Sequence, residues 1–302
     1  MSRLGERLVA LRPRARILAP VPFVLWALYS LSAGERRWEI CLSAVIALAL
    51  ACGTPGTKKL FAGVYPLFLV GLLYDAQRFL HRIGLSADRV HTCDLRRLEL
   101  ALFGAPPRGA VALTWPDVLQ SRSSTALDLL AAVPYGTFIV ISIGYAMLLY
   151  RTDFRGLERF TWTFLVLNVL AFVTYRVYPA APPWYVRARG CMVDLNQRAS
   201  EGPHLAHVDA LLGVRYFGAF YDRSRDVFGA VPSLHVAYPL LIVLEGWRRH
   251  RWLGRALAVG FFLSMCFAAV YLDHHWVFDV VVGVLYTIVV YASVRWFFSE
   301  VA

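Results

Sequence analysis

The chain has 302 residues, a net charge of +11 and a mean hydropathy of +0.53. Hydrophobic residues make up 58% of it and charged residues only 17%, against roughly 25% charged residues in soluble domains. This composition excludes a soluble globular protein and makes nucleic acid an unexpected partner, whereas the positive charge suits anionic membrane lipids. We therefore expect an integral membrane protein.

Eight apolar runs follow one another along the chain, and most have the length of a membrane-spanning helix. Their approximate bounds are 16–31, 38–51, 60–80, 126–150, 160–178, 234–247, 253–272 and 276–298. The second and sixth runs are short, so six or seven spans are also compatible with the sequence. The first run is also compatible with a cleaved signal peptide, because basic residues precede it and SLSAG follows. The predicted fold class is an all-α polytopic membrane protein.

The basic residues of the short loops predict how these spans are oriented. They cluster before the first run, at residues 58–59, at 151–159 and at 248–255. If these loops face the cytoplasm, so does the N-terminus, and two longer segments at about 81–125 and 179–232 lie on the opposite side. The arginines of these outer segments are expected either to contact lipid headgroups or simply to solvate a surface helix.

The first outer segment contains a predicted interfacial helix. The sequence ADRVHTCDLRRLELALF, residues 87–103, has apolar residues at helical spacing and charged residues between them. It also carries Cys93, while Cys191 lies in the second outer segment. A disulfide between these two cysteines is permitted by their predicted compartment but is not required by it.

Ionisable residues at the ends of apolar runs indicate a functional site, because membranes penalise them. His235 begins the sixth run, and His274, His275 and Asp279 lie where the seventh run meets the eighth. The predicted topology places these residues on one membrane face, together with the end of the fifth run. The site is therefore expected at the periplasmic, lumenal or exterior face of a multi-pass protein.

The spacing of these residues suits phosphoryl transfer. His275 and Asp279 are four residues apart, so on a helix the carboxylate can hold one ring N–H and leave the other nitrogen free as a nucleophile or base. His235 can then serve as the acid and base for leaving and incoming hydroxyl groups. The same three side chains could alternatively ligate a metal ion, or form the proton relay of a transporter, although no internal repeat is apparent.

The turn PSLH supplies an expected phosphate site. Pro232 suits a first helical position, and the Ser233 hydroxyl with the following backbone N–H groups can bind an anion at a helix N-terminus. Arg176, at the end of the fifth run, is the expected partner for the phosphate charge. Trp184 and Tyr185 are expected to form a rigid aromatic wall. Further arginines of the second outer segment are Arg187, Arg189, Arg223 and Arg225.

At these positions the sequence resembles the type 2 phosphatidic acid phosphatase superfamily. The motifs PSLH (232–235) and HHWVFD (274–279) are similar to its second and third signatures. The longer stretches YPAAPPWY, VFGAVPSLHVAYP and YLDHHWVFDVVVG resemble more closely the inositol phosphorylceramide synthases within it. The resemblance covers about residues 60–298 and implies a six-helix core. The expected domains are an N-terminal transmembrane hairpin, 1–56, and a catalytic domain, 57–302.

The resemblance also assigns roles. It implies that His275 is the nucleophile, Asp279 its orienting carboxylate, His235 the acid and base, and Ser233 a phosphate ligand. Two departures from the phosphatase pattern weaken a plain phosphatase interpretation: Ala269 stands where an arginine is usual, and RVYPAAPPWY replaces the first signature. The additional His274 is expected to contact substrate, with an exposed position facing lipid headgroups as the alternative.

The reaction implied by the resemblance is transfer of phosphoinositol from phosphatidylinositol to a ceramide-like lipid through a phosphohistidine. It implies no metal and no cofactor, and membrane lipids rather than an obligate protein are the expected partners. Alternative functions are hydrolysis of a lipid phosphate or polyprenyl diphosphate by a member of the same superfamily, and transfer of another lipid headgroup.

Overall fold

The computed structural model of the protein describes residues 18–34, 38–224 and 226–300. Over these residues the chain is almost entirely α-helical, with one short pair of strands. The predicted all-α fold class is therefore confirmed. The basic segment before the first apolar run and Arg225, both used in the sequence analysis, lie outside the described residues.

The secondary structure begins with a helical hairpin and ends with a long helix. In chain order the helices are α1 (Val21–Ser32), α2 (Trp38–Cys52), α3 (Pro55–Leu80), α4 (Cys93–Phe103), α5 (Trp115–Gln120), α6 (Thr125–Thr152), α7 (Phe154–Val177), α8 (Pro183–Arg189), α9 (Gly202–Leu212), α10 (Tyr216–Tyr221), α11 (Leu234–Gly246), α12 (Trp252–Tyr271) and α13 (Val277–Glu300). A 3-10 turn covers Ala87–Arg89, and strands β1 (Ala105–Arg108) and β2 (Val111–Leu113) pair antiparallel.

Eight of these helices coincide with the eight apolar runs. Among the described residues, five helices are long and apolar enough to cross a membrane, namely α3, α6, α7, α12 and α13. The other three, α1, α2 and α11, are apolar but only 10–17 residues long. The protein is therefore a multi-pass membrane protein, as its composition predicts.

The first of two compact units comprises the described residues of Met1–Ala76, Gly144–Val166 and Tyr291–Ala302. Its core includes Phe23 of α1 and alanines of α2, whose small side chains allow close helix packing in a membrane. A hydrogen bond within it joins two of its helices, since the Trp26 indole N–H donates to Asp75 at 2.7 Å.

The second unit, Gln77–Ile143 and Leu167–Val290, contains every catalytic and substrate-binding residue predicted from the sequence. Its core gathers Tyr185, Phe228 and Trp276 from three separate stretches of the chain. Extended segments lie side by side here, because Ala180 forms parallel bridges to both His91 and Gly229. These backbone contacts join YPAAPPWY to the segment that leads into PSLH.

A disulfide closes one end of this unit. Cys93 and Cys191 are bonded, with their Cα atoms 5.3 Å apart and a separation of 98 positions in the sequence. The bond ties the first residue of α4 to the loop after α8. The predicted interfacial helix is interrupted at residues 90–92, where the backbone pairs with residues 179–181, and continues as α4.

Candidate active site

Two histidines from different helical elements meet side by side. His235 lies in the first turn of α11, and His275 lies in the turn between α12 and α13. The Nδ1 atom of His235 is 3.1 Å from the Nε2 atom of His275. His275 is buried and His235 is half-buried. The pair is thus assembled by the packing of helix ends that are 40 residues apart in the sequence.

The second nitrogen of His275 faces two acceptors, which defines the tautomer. His275 Nδ1 lies 3.0 Å from the carbonyl oxygen of Ala230 and 3.4 Å from Oδ2 of Asp279. Because the Ala230 carbonyl can only accept, Nδ1 carries the proton and Nε2 of the neutral ring presents its lone pair. His235 Nδ1 must therefore be the donor in its contact with His275. The carbonyl of Ala230, which the sequence analysis did not consider, is the closer partner.

The side chain of Asp279 is held in place by the backbone of its own turn. It is fully buried, and its Oδ2 also accepts the backbone N–H of Trp276 at 2.9 Å. Its Oδ1 has no hydrogen-bond partner among the described residues. The carboxylate is therefore fixed by a backbone contact while it faces the His275 ring.

Burial keeps both histidines of the turn neutral. Loss of hydration lowers the pKa of His275 to about 4, although its hydrogen bond to Ala230 acts in the opposite direction. Burial likewise lowers the pKa of His274 to about 3, against the hydrogen bond to the Glu201 carbonyl. A neutral imidazole with a free Nε2 lone pair is the form that can act as a nucleophile.

Ser233 caps α11 and is completely buried. Its hydroxyl has no hydrogen-bond partner among the described residues, and its backbone N–H donates to the carbonyl of Asp279 at 3.1 Å. Pro232 precedes this cap, so the expectation that it occupies the first helical position is wrong: helical geometry begins only at Leu234. A Cβ atom on Gly283 would lie 2.5 Å from the Ser233 carbonyl oxygen, so α13 approaches this cap backbone to backbone.

A comparison with known protein families shows which family the chain belongs to. Residues 109–293, more than half of the chain, match the family model described as PAP2 superfamily. The chain belongs to the PAP2 superfamily. The resemblance found in the sequence is thereby confirmed at this level. All three histidines, Ser233 and Asp279 lie within the matched residues.

Curated relatives of this PAP2 protein carry the names of the branch that the sequence resembles. It is 29% identical, over 83% of its own length and 81% of the relative, to the phosphoinositol dihydroceramide synthase of Bacteroides thetaiotaomicron. It is 27% identical over 80% of its length to the inositol phosphorylceramide synthase catalytic subunit aur1 of Schizosaccharomyces pombe. It is 26% identical over 85% of its length to the inositol phosphorylceramide synthase of Candida albicans.

The matches to the fungal proteins cover only part of those proteins. The chain spans 55% and 53% of these two fungal proteins, about half of their length. No solved structure shows a significant match to the chain.

Arg176 is bound to protein groups of the segments that flank the PAP2 site. Its guanidinium donates to Asp226 at 2.7 Å, to Gln77 at 2.8 Å and to the carbonyl of His81 at 3.1 Å. These bonds fasten the end of α7 to α3 and to the segment that leads into PSLH. Arg176 therefore holds the backbone next to the site, and its role as the partner of the phosphate charge stays a prediction.

Two further arginines of the second outer segment, Arg187 and Arg189, also bind protein groups. Arg187 forms a forked pair with the buried Asp273, at 2.9 and 3.0 Å, and donates to Asp117 at 3.1 Å. Arg189 binds the Gln197 side chain at 2.9 Å. Arg223 is exposed in the turn after α10. The forked pair fixes the turn that carries His274 and His275, because Asp273 directly precedes them.

The two predicted wall residues have different environments. Tyr185 is fully buried in the core of the second unit, with its ring edge-on to Phe228 and its hydroxyl donating to the Met192 carbonyl at 3.2 Å. Trp184 is half-buried, and its backbone N–H donates to the Asp273 carbonyl at 2.9 Å. Both residues brace the loop beside the HHWVFD turn of the PAP2 site.

His274 lies between two tyrosine rings. It stacks on Tyr221 and on Tyr135, with ring centroids 5.0 and 5.3 Å away, and its Nε2 is 2.9 Å from the carbonyl oxygen of Glu201. The sequence predicts that His274 contacts substrate. In the structure its ring contacts both tyrosine rings, and both ring nitrogens have protein partners.

Glu99 is a buried residue beside the PAP2 site that the sequence analysis missed. It lies in α4, outside the residues matched to the family model, and its two oxygens accept the backbone N–H groups of Val277 and Phe278 at 3.0 and 2.9 Å. Burial, together with the nearby charge of Asp279, raises the pKa of Glu99 to about 6. The carboxylate caps the helix whose first turn carries Asp279. Only the apolar spacing of α4, which indicates an inner face, could have pointed to it.

Proposed function

We propose that this protein transfers the phosphoinositol headgroup of phosphatidylinositol to the primary hydroxyl of a ceramide-like lipid. The observation that carries the proposal is the 3.1 Å contact between His235 Nδ1 and the unprotonated Nε2 of His275. It pairs a nucleophile with a proton donor, which a double displacement on phosphorus requires. The names of the curated relatives support the choice of lipids.

In the first displacement, Nε2 of His275 attacks the phosphorus of the donor lipid. The N–P bond forms and the bond between phosphorus and the diacylglycerol oxygen breaks. His235 enters this step as the imidazolium, because the bound anionic phosphate favours its charged form. It gives its Nδ1 proton to that oxygen and becomes neutral, so diacylglycerol leaves as the neutral alcohol. Asp279 and the Ala230 carbonyl hold the Nδ1 proton of His275 and stabilise the positive charge that the ring acquires.

In the second displacement, the acceptor hydroxyl attacks the phosphohistidine. His235 Nδ1 takes the hydroxyl proton, the new O–P bond forms and the N–P bond breaks. The lone pair returns to Nε2 of His275, and both rings regain their starting protonation. The product is the inositol phosphorylceramide class of lipid, and the reaction is balanced without metal, cofactor or water.

We assign the phosphate oxygens of the donor to the start of α11. The Ser233 hydroxyl is buried without a partner among the described residues, and the first backbone N–H groups of α11 point from the same turn. Arg176, Trp184 and Tyr185 support this site indirectly, by fixing the backbone segments on either side of it. In the complex with the donor lipid, the imidazolium of His235 supplies positive charge next to the phosphate.

We further propose that the site faces the periplasm, lumen or exterior. The basic residues of the short loops support this orientation. The Cys93–Cys191 disulfide supports it as well, because structural disulfides persist in oxidising compartments and this one belongs to the same unit as His275.

A hydrolase remains the second candidate, since PAP2 membership by itself does not specify the second acceptor. In that reaction water would attack the phosphohistidine in place of a lipid hydroxyl. The two functions differ in what happens when no acceptor lipid is present.

The test uses purified protein in detergent with phosphatidylinositol, with and without ceramide. Transfer predicts equal amounts of diacylglycerol and inositol phosphorylceramide, and only slow release of inositol phosphate when ceramide is left out. The His275→Ala variant is the matched control for contaminating activity. Rapid release of inorganic phosphate from phosphatidic acid or a polyprenyl diphosphate, with no headgroup transfer to ceramide, would contradict the proposal.

A further inference from the structure

Four aromatic rings form a chain of pairwise stacked contacts, here called the column, that ends on His235. In order they are Tyr221, His274, Tyr135 and His235. Successive ring centroids are 5.0, 5.3 and 4.3 Å apart, and the interplanar angles are 11°, 22° and 14°. The closest and nearly parallel pair is Tyr135 with His235.

Hydrogen bonds at the far end of the column hold it in one arrangement. His274 Nε2 faces the carbonyl of Glu201 at 2.9 Å and must donate to it, so His274 Nδ1 is an acceptor. The Tyr221 hydroxyl is 3.4 Å from this nitrogen and 2.7 Å from the Tyr135 hydroxyl. Tyr135 therefore donates to Tyr221, which donates to His274. Both tyrosine rings are fixed by this chain.

The column confines the imidazole of His235. Tyr135 covers one face of that ring, and Phe138, one helical turn further along α6, approaches it at 4.8 Å with a 47° tilt. The Nδ1 atom of the His235 ring contacts His275. A rotation of the His235 ring would break the stacking on Tyr135, so the ring plane that aims Nδ1 at His275 is set from α6.

We propose that Tyr135 is a positioning residue for His235, and that His274 acts through Tyr135 in place of contacting substrate. The assignment rests on the proposed function, because it gives His235 the acid and base role. An aromatic face also tolerates both states of the ring, since it attracts an imidazolium and packs against a neutral imidazole. Tyr135 can therefore hold His235 throughout both displacements.

Two substitutions at residue 135 separate the ring from its hydroxyl. Tyr135→Phe keeps the stacked face and removes the hydroxyl that binds Tyr221, whereas Tyr135→Leu removes the face. For transfer from phosphatidylinositol to ceramide we expect kcat to fall about tenfold or more in Tyr135→Leu, with KM within about twofold, and to stay within about threefold in Tyr135→Phe. Equal losses in both variants, or full kcat in Tyr135→Leu, would overturn the proposal.

His274→Phe tests the second half of the assignment. Phenylalanine preserves a flat ring in the column but cannot bind a phosphate or a sugar hydroxyl. We expect a modest loss of kcat and an unchanged KM for phosphatidylinositol. A rise in KM of about tenfold would show that His274 contacts substrate and would reject its place in the column.

A readout that needs no lipid separates this proposal from the proposed function. Diethyl pyrocarbonate acylates exposed neutral imidazoles, and mass spectrometry of the peptide that contains His235 measures its rate. We expect several-fold faster acylation of His235 in Tyr135→Leu and the wild-type rate in Tyr135→Phe. Tyr135→Met replaces the leucine variant if the latter does not fold. A wild-type protein that transfers nothing to ceramide would refute the proposed function, while unchanged acylation in Tyr135→Leu would refute the column.

Discussion

Glu99 of α4 and Asp279 of α13 both cap the start of α13. Glu99 binds the N–H groups of Val277 and Phe278, while Asp279 binds that of Trp276. Three successive backbone donors at the start of α13 are thus satisfied by two buried carboxylates. The turn that carries His275 is consequently attached to α4 as well as to its own helix.

This relationship predicts a stability effect at Glu99. Glu99→Ala leaves two buried N–H groups without an acceptor, which costs roughly 1–3 kcal/mol for each group. Glu99→Gln keeps one acceptor and should lose less. The thermal unfolding midpoint in detergent measures both variants, and Glu300→Ala, at an exposed residue, is the control. An unchanged midpoint in Glu99→Ala would show that the cap is dispensable.

The two histidines of the turn predict acid lability. Their pKa values are lowered in the folded state, to about 4 for His275 and about 3 for His274, whereas in the unfolded chain they lie near 6.5. Between these values the unfolded state binds more protons, so folding stability falls as the pH drops from about 6.5 towards 4. Unfolding midpoints at a series of pH values should therefore decline over this window. His274→Phe should make the decline shallower.

The same shift predicts where activity is lost in acid. Because His275 remains neutral well below the usual histidine range, its protonation should abolish transfer only as the pH approaches about 4. The acidic limb of the kcat profile, measured with rapid assays before unfolding occurs, tests this. A limb near 6.5 that comes from His275 would show that the nucleophile is not buried.

The roles proposed for His275, His235 and Asp279 predict losses of turnover of different size. His275→Ala and His235→Ala should each lower turnover by orders of magnitude and leave a folded protein. Asp279→Asn should retain the most activity, because the Ala230 carbonyl still accepts the Nδ1 proton of His275. Turnover and disulfide content, measured on the same purified samples, separate lost chemistry from lost folding. Asp279→Asn losing more than His235→Ala would contradict the assigned roles.

The disulfide predicts a measurable stabilisation. A bond between cysteines 98 residues apart restricts the unfolded chain, and its loss is expected to cost about 2–5 kcal/mol. The double variant Cys93→Ser with Cys191→Ser should therefore unfold several degrees lower than the wild type. Cys52→Ser, at an exposed unpaired cysteine, serves as the control. Equal midpoints for the two variants would mean that the bond does not constrain the unfolded state.

The sequence predicted those features that depend on composition and on local spacing. The eight apolar runs coincide with eight helices, because the length of an apolar run depends only on the residues within it. The motif residues His235, His275 and Asp279 share a site because the spans that carry them end on the same side.

Features that depend on long-range partners were not predictable in this way. Arg176 was expected at the phosphate, but Asp226 and Gln77 compete for its guanidinium. Glu99 binds backbone N–H groups 178 and 179 residues away. A sequence does not indicate which backbone groups a side chain will contact. Tyr135 looked like one more aromatic residue in a membrane run, since nothing in its own helix indicates the ring it stacks on.

The bare backbone at Gly283 has a consequence for how such enzymes diversify. Because a methyl group there would collide with the Ser233 carbonyl, the separation between α11 and α13 is already at its minimum and cannot be adjusted by side-chain exchange at this position. The start of α11, which carries His235, and α13, which follows the turn with His275, thus keep a fixed separation. A change of acceptor lipid has to be accommodated by other walls, so variation in substrate preference should concentrate on α6 and the outer loops.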